Sequence, residues 1–238
     1  MQKKAILVIL RHGNTLANKK GIYSGWIDED ISTLGVTQAR KAARAIQQRG
    51  IQFDSAYCSF LQRSYHTIDI ILKELGQNIT AIRDWRLNEC HCGAYTGKTA
   101  VEAKSMFGVS KFTRWRKEYS FPPPLLPLNS PLLPKKSEIY QSIDPNILPR
   151  GESLEMGWTR CQPFWHDHIL KDLSEGKNVL IVTHGNLLRA IMKEMDGISA
   201  EQAMAKLCVN NAVPIQYQFE NGHFSNKTII PIKDITVD

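Results

Sequence analysis

Two short apolar runs that end alike constrain this chain more than any other feature. Ala5 to Leu10 (AILVIL) and Asn178 to Thr183 (NVLIVT) are rich in β-branched residues and too short for helices. Each therefore reads as a strand buried on both faces of a largely parallel sheet. The first runs into Arg11-His12-Gly13 and the second into His184-Gly185-Asn186, so two histidine-glycine pairs stand at carboxyl ends of strands. Open α/β sheets place their ligands there.

Helical patterns fill the spaces between strands. Ser32 can cap a helix running to Gly50, with Val36, Ala39, Ala43 and Ile46 on one face and Arg40, Lys41 and Arg44 on the other. Phe53 to Tyr57 reads as a strand. Ser59 can cap the next helix, whose Leu61, Tyr65, Ile68, Leu72 and Leu75 recur at helical spacing before Gly76. Long helices are expected over Leu154 to Leu173 and from Gly185 to Met195. The alternation predicts one α/β domain over 1–238, with a mostly parallel twisted sheet and helices on both faces. One stretch breaks the rhythm: residues 121–150 carry eight of the 11 prolines and no sustained apolar period. Such a segment is either a disordered linker or an ordered flap over a site, and functional loops are the usual exception to short connections, which favours the flap.

Composition sets outer limits. A 238-residue chain with 42% hydrophobic residues can bury a sizeable core. The net charge of +7 attracts anions of every kind, from phosphorylated metabolites to nucleic acid, without choosing between them. The basic face of the 32–50 helix lacks interleaved aromatics, so it reads as a solvated face and no nucleic-acid partner is expected. Five cysteines, an odd and sparse set, point to a reducing compartment and hence the cytoplasm. Lys3 and Lys4 ahead of the first apolar run resemble the start of a leader, but the run stops at Arg11 after six residues. Nothing approaches the roughly 18 apolar residues of a membrane span.

The chemistry lies at the two strand ends. Neutral His12 can attack a phosphoryl group, Arg11 can pair its oxygens in a bidentate way, and the following helix start adds N–H donors. A protonated His184 on a neighbouring strand would face His12 and stabilise the group in transfer. Each histidine alone is more often a strand-end side chain bonded to backbone; the matched pair argues for a site.

The order of motifs then resembles a known family. Leu10-Arg11-His12-Gly13-Asn14-Thr15 with Asn18, Gly25-Trp26-Ile27-Asp28, Leu34-Gly35 with Gln38-Ala39, and Ser59-Phe60-Leu61-Gln62-Arg63-Ser64 with Thr67 come first. Arg86-Leu87-Asn88-Glu89 with Gly93, Trp115-Arg116-Lys117, Pro122-Pro123-Pro124, Gly151-Glu152-Ser153-Leu154 and Thr183-His184-Gly185-Asn186 follow. Together they resemble the histidine phosphatase superfamily, specifically its cofactor-dependent phosphoglycerate mutase branch, over nearly the whole chain. The resemblance implies a phosphohistidine at His12, a phosphate pocket of Arg11, Arg63 and His184, and Glu89 as general acid/base. It implies substrate contacts from Thr15, Asn18, Ser24, Gly25, Lys98, Arg116, Lys117, Gly185 and Asn186. It also implies priming by 2,3-bisphosphoglycerate, no metal, a place in glycolysis and gluconeogenesis, and a dimer or tetramer.

Departures gather at the positions that grip the far end of the substrate. Cys92 stands where mutases carry a tyrosine, Ala100 where they carry a lysine, with Lys98 two residues earlier, and Asn210-Asn211-Ala212 where they show proline-threonine-glycine. Lys117 replaces a second arginine and loses the planar fork. A histidine phosphatase acting on another small phosphorylated metabolite is therefore the alternative, and a non-catalytic phosphate-binding protein a more distant one. The Cys90-His91-Cys92 run has zinc-ligand chemistry but lacks a second pair, and His166 and His168 read as helix decoration.

Overall fold

The protein is described by a computed structural model over residues 4–232, so Lys3 lies outside the described residues. Strand β1 (Ala5–Arg11) leads into a short α1 (Leu16–Lys20) and then α2 (Thr33–Gln47). Strand β2 (Ser55–Cys58), α3 (Gln62–Leu75) and β3 (Ile82–Arg83) follow, then α4 (Ala100–Phe107) and α5 (Val109–Lys117). Beyond the irregular stretch come α6 (Leu154–Phe164), a π turn (Trp165–Leu170) and α7 (Lys171–Ser174). Strand β4 (Val179–Thr183), α8 (Gly185–Asp196), α9 (Ala200–Lys206), β5 (Ile215–Glu220) and β6 (His223–Ile229) complete the chain.

The six strands form one sheet in the order β3-β2-β4-β1-β5-β6. The first four are parallel, β5 runs antiparallel to β1, and β6 runs antiparallel to β5. Alternate residues of the central strands feed two cores. Leu7 and Ile9 with Val179 and Ile181 pack beneath α6 and α8, and Val8 and Leu10 with Leu180 and Val182 pack beneath α2 and α3. Continuous apolar runs are what a strand covered on both faces requires.

Three boundaries differ from the sequence pattern. The second strand starts at Ser55, because Phe53 N–H donates to the Gln77 side chain and leaves the ladder. Ser59 does not cap α3; Leu61 occupies that position without a side-chain bond, and the Ser59 hydroxyl is drawn 125 residues away to His184. The long helix from Leu154 is interrupted at Trp165, just after Pro163, whose ring nitrogen cannot continue the backbone bonding and leaves the next turn widened.

The proline-rich stretch is packed. Leu126 N–H donates to Arg150 O and Arg150 Nε donates to Leu126 O, which closes its neck, and Tyr140 is buried against Trp26 and Phe60. Among the described residues, no helix is long and apolar enough to cross a membrane.

Candidate active site

Parallel pairing of β1 with β4 sets the two histidines side by side. The register runs from Leu7↔Val179 to Arg11↔Thr183, and His12 N–H donates to Thr183 O at 2.9 Å. The next residues, His12 and His184, are buried with ring centroids 5.1 Å apart. His12 Nδ1 donates to the Gly13 carbonyl at 2.7 Å, which fixes the tautomer and leaves the Nε2 lone pair free. The His184 Nε2 meets the Ser59 hydroxyl at 2.7 Å, and its Nδ1 is buried without a partner.

Two guanidinium groups flank this pair. Arg63, in the first turn of α3, donates Nη1 to Ile27 O at 2.7 Å and Nη2 to Gly25 O at 2.6 Å. Gly25 is needed there: its φ is +52°, and a Cβ would come within 3.2 Å of the Cys92 side chain. Arg11 donates Nη1 to Val209 O at 3.3 Å, while its Nε is buried and, among the described residues, unpartnered. Burial, then Arg63 and Arg11, pushes His12 well below the ordinary imidazole range. Burial, then Arg63 and His12, does the same to His184. His184 is therefore neutral before a phosphoryl group arrives; the protonated form expected of it belongs to the transfer itself.

Glu89 enters from the loop after β3. Its carboxylate accepts from the N–H groups of Cys90 at 2.9 Å, Asn186 at 3.0 Å and Leu187 at 3.1 Å, so it caps the positive end of α8. The loop is held from behind. Arg160, paired with Glu152 at 2.7 Å and almost fully buried, donates to the carbonyls of Arg86, Asn88 and Glu89. Glu152 in turn accepts from His91 N–H at 2.8 Å. The Asn88 side chain donates to the Tyr140 hydroxyl at 2.8 Å, which ties the proline-rich stretch to the residue before Glu89.

These groups open on a cleft of about 890 Å³. Of the residues singled out in the sequence, Arg11, His12, Asn18, Ser24, Gly25, Arg63, Glu89, Arg116, Gly185 and Asn186 line it. His184 lies behind His12. Thr15, Lys98 and Lys117 are not in the wall. Thr15 is fully buried and accepts from Asn18 N–H at 3.1 Å as the cap of α1, while donating to Glu29. Ser24 also donates to Glu29. Lys117 is exposed on the far side of α5, because Phe112 and Trp115 turn their face inward and set the helix phase. No residue of 121–150 lines the cleft.

The structure adds wall residues that the sequence did not single out, chiefly Tyr23, Arg189 and Met204, and it also places Asn211 in the wall. Asn211 donates to His12 O at 2.9 Å and to Asn18 Oδ1 at 3.1 Å, so one of the departures from the mutase pattern braces the histidine. Beside it Ala212 is buried at φ +54°, a left-handed conformation that costs an alanine about 1–2 kcal/mol. Cys92 is buried, and burial pushes its thiol up to about 12, so it is a neutral wall group. Burial likewise lowers His91 to about 4, and its Nδ1 accepts from Gly93 N–H. Among the described residues no group of three His, Cys, Asp or Glu side chains is placed to hold a metal ion.

The sequence profile of the histidine phosphatase superfamily (branch 1) matches residues 7–128 and 133–229. A 2,3-bisphosphoglycerate-dependent phosphoglycerate mutase of Thermobifida fusca is 37% identical over 223 residues, covering 93% of this chain and 90% of that one. Phosphoglycerate mutase 1 of Saccharomyces cerevisiae is 37% identical over 217 residues, covering 91% and 87%. Among solved structures, a phosphoglycerate mutase from Bacillus anthracis superposes with a TM-score of 0.68 at 22% identity, covering 94% of this chain and 92% of that one. A mycobacterial glucosyl-3-phosphoglycerate phosphatase superposes at 0.69 with 23% identity and 91% of each chain covered. At these identities the two structures speak for the fold alone.

Proposed function

The chain belongs to the histidine phosphatase superfamily, branch 1, and from that premise we propose that it is a 2,3-bisphosphoglycerate-dependent phosphoglycerate mutase interconverting 3-phosphoglycerate and 2-phosphoglycerate. Relatives bearing that name match nine-tenths of the chain. The observation that carries the mechanism is the His12 imidazole: neutral, with Nε2 freed by the Nδ1 bond to Gly13, and set between Arg11 and Arg63.

The site residues suit a ligand with two anionic groups. Among the described residues, Arg11, Arg63, Arg116, Arg189 and Lys19 line the cleft against the single carboxylate of Glu89, and the buried Arg11 Nε waits for an acceptor. When bound, 2,3-bisphosphoglycerate supplies the phosphoryl group that primes the histidine. His12 Nε2 accepts that group, and Arg11 and Arg63 neutralise its oxygens in a low-dielectric wall, the task a metal ion performs elsewhere. His184, neutral beforehand, gains its proton as the anion enters and then donates to it. Glu89, aimed from the α8 N-terminus, carries protons to and from the substrate hydroxyls. Asn18, Ser24, Gly25 and Asn186 orient the ligand.

Water must be kept from the phosphorylated histidine while the intermediate turns. The 121–150 stretch, expected as a flap, does not line the cleft and reaches the site through the Tyr140 bond to Asn88 beside Glu89; its deletion should raise hydrolysis relative to transfer by loosening Glu89. Hydrolysis of another phosphomonoester is not favoured by the relatives. We place the activity in the cytoplasm on the sparse, odd cysteine set, and expect a dimer or tetramer by sedimentation.

The test is incubation of purified protein with 2,3-bisphosphoglycerate and 3-phosphoglycerate without divalent metal, following 2-phosphoglycerate and free phosphate together. Fast isomerisation with little phosphate is expected, and His12→Ala should lower it by about 10⁴-fold or more. Phosphate release without isomerisation would replace the mutase by a phosphatase, and activity surviving in His12→Ala would remove the phosphohistidine.

A further inference from the structure

Arg189 is a cationic wall residue that neither the sequence motifs nor the phosphoryl chemistry accounts for. It sits one turn into α8, four residues after Gly185. Its Nη2 donates to the last carbonyls of α9, Ala203 O at 3.4 Å and Met204 O at 3.2 Å, so the guanidinium is oriented before a ligand arrives. Its Nε is buried and has no partner among the described residues.

Arg116, at the end of α5, shares the cleft with it, and the two also share a small polar recess in the wall with Asn186. Burial first and Arg116 second lower the Arg189 guanidinium, with Glu89 opposing them more weakly. A buried donor without an acceptor is costly, and so is a like charge beside it. An anion bridging Arg116 and Arg189 relieves both costs. The cleft thus holds two unmet buried guanidinium donors, Arg11 Nε beside His12 and Arg189 Nε beside α9. Lys98 and Lys117, offered by the sequence for the far anionic group, are not in the wall.

We propose that Arg189, acting with Arg116, reads the carboxylate of the substrate and distinguishes a phosphorylated carboxylic acid from a phosphorylated alcohol of similar size. The planar fork of arginine matches a carboxylate in a way that the lysine at 117 does not. This assignment rests on the mutase reading for its ligand and adds the residue that sets its specificity.

The experiment titrates full-length protein, Arg189→Gln and Arg189→Lys with 3-phosphoglycerate and with glycerol 3-phosphate, which keeps the phosphoryl group and lacks the carboxylate. Calorimetry reads affinity, and isomerisation is followed in parallel. In the unaltered protein 3-phosphoglycerate should bind the tighter of the two. Arg189→Gln should weaken 3-phosphoglycerate by about 10- to 100-fold and leave glycerol 3-phosphate within about twofold, with Arg189→Lys between.

Equal weakening of both ligands would make Arg189 a brace for α9 and overturn the assignment. Unchanged preference in Arg189→Gln, or no preference in the unaltered protein, would overturn it as well. Should Arg189→Gln fail to fold, Arg189→Lys keeps the charge and gives the same comparison. Preference that depends on Arg189 in a protein that does not isomerise would sink the mutase reading and leave this subsite standing, and isomerisation indifferent to Arg189 would do the reverse.

Discussion

The two ends of the cleft are built by different means. The phosphoryl end hangs on parallel pairing of β1 with β4, which places His12 and His184 in adjacent register inside a buried layer, with Arg63 pinned by the Gly25 and Ile27 carbonyls. The far end is assembled from the ends of α5 and α9, the first turns of α8 and the 207–211 segment. A strand register is fixed by every residue along it, since a slip of one would turn the whole apolar set outward. A wall of helix ends has no such redundancy. Of the departures from the mutase pattern, Cys92, Ala100 and Lys117 fall outside the strand pairing, while Asn211 bridges Arg11 at the end of β1 and the Ala212 N–H donates to the Arg11 carbonyl.

The buried Arg160–Glu152 pair tests whether the phosphoryl end depends on more than strands. Arg160 holds four carbonyls of the segment bearing Glu89, those of Trp85, Arg86, Asn88 and Glu89. Arg160→Leu leaves Glu152 charged and unpaired in the interior, which should cost about 3–5 kcal/mol in chemical denaturation. A loss below about 1 kcal/mol would mean that the strands alone hold this end. Glu89→Gln keeps the shape and removes the proton carrier, and should lower kcat by about 10²–10³-fold with little change in melting temperature. A kcat within tenfold of the unaltered protein would move the acid/base role elsewhere in the cleft.

Acidity offers a subtler probe of the same end. In the free protein His12 and His184 are held neutral by burial, Arg63 and Arg11, so their pKa values lie well below 6.5. An anion between the guanidinium groups cancels the charge that holds them down and raises the pKa of the bound state. Binding then takes up a proton, and affinity for sulfate, which does not titrate in this range, should rise as pH falls from about 8 toward 5. The slope approaches tenfold per pH unit between the bound and free pKa values and vanishes above the bound one. Flat affinity would mean that His184 stays neutral when the anion is bound.

The contrast also explains what could be read from residues alone. The central strands were legible because their signal is local: six apolar residues that end in histidine-glycine need no distant partner to be recognised. Ser59 was misread as a helix cap because its hydroxyl answers to His184, a neighbour supplied only by the sheet. Thr15 was read as a ligand contact, yet Thr15 with Asn18 three residues on forms a reciprocal cap, and Glu29 consumes its hydroxyl. Arg189 carried no signal, since an arginine in the first turns of an amphipathic helix reads as solvated face. Only the packing of α9 against α8 turns it to the cleft.

Lys117 differs in kind, because its direction is already readable from the sequence. Phe112 and Trp115, three residues apart, define the inward face of α5. At about 100° per residue, Arg116 lies beside that face and Lys117 nearly opposite it. Arg116 accordingly stands at the cleft edge, 5.7 Å from the Tyr23 ring, while Lys117, exposed as Arg116 is, lies outside the cleft wall. Lys117→Ala should therefore change the KM for 3-phosphoglycerate by less than about twofold, and Arg116→Ala should raise it about tenfold, the value of one charge-assisted contact. Equal effects from the two would mean that long-range attraction by net charge governs the far end, rather than the direction in which each helix presents its side chain.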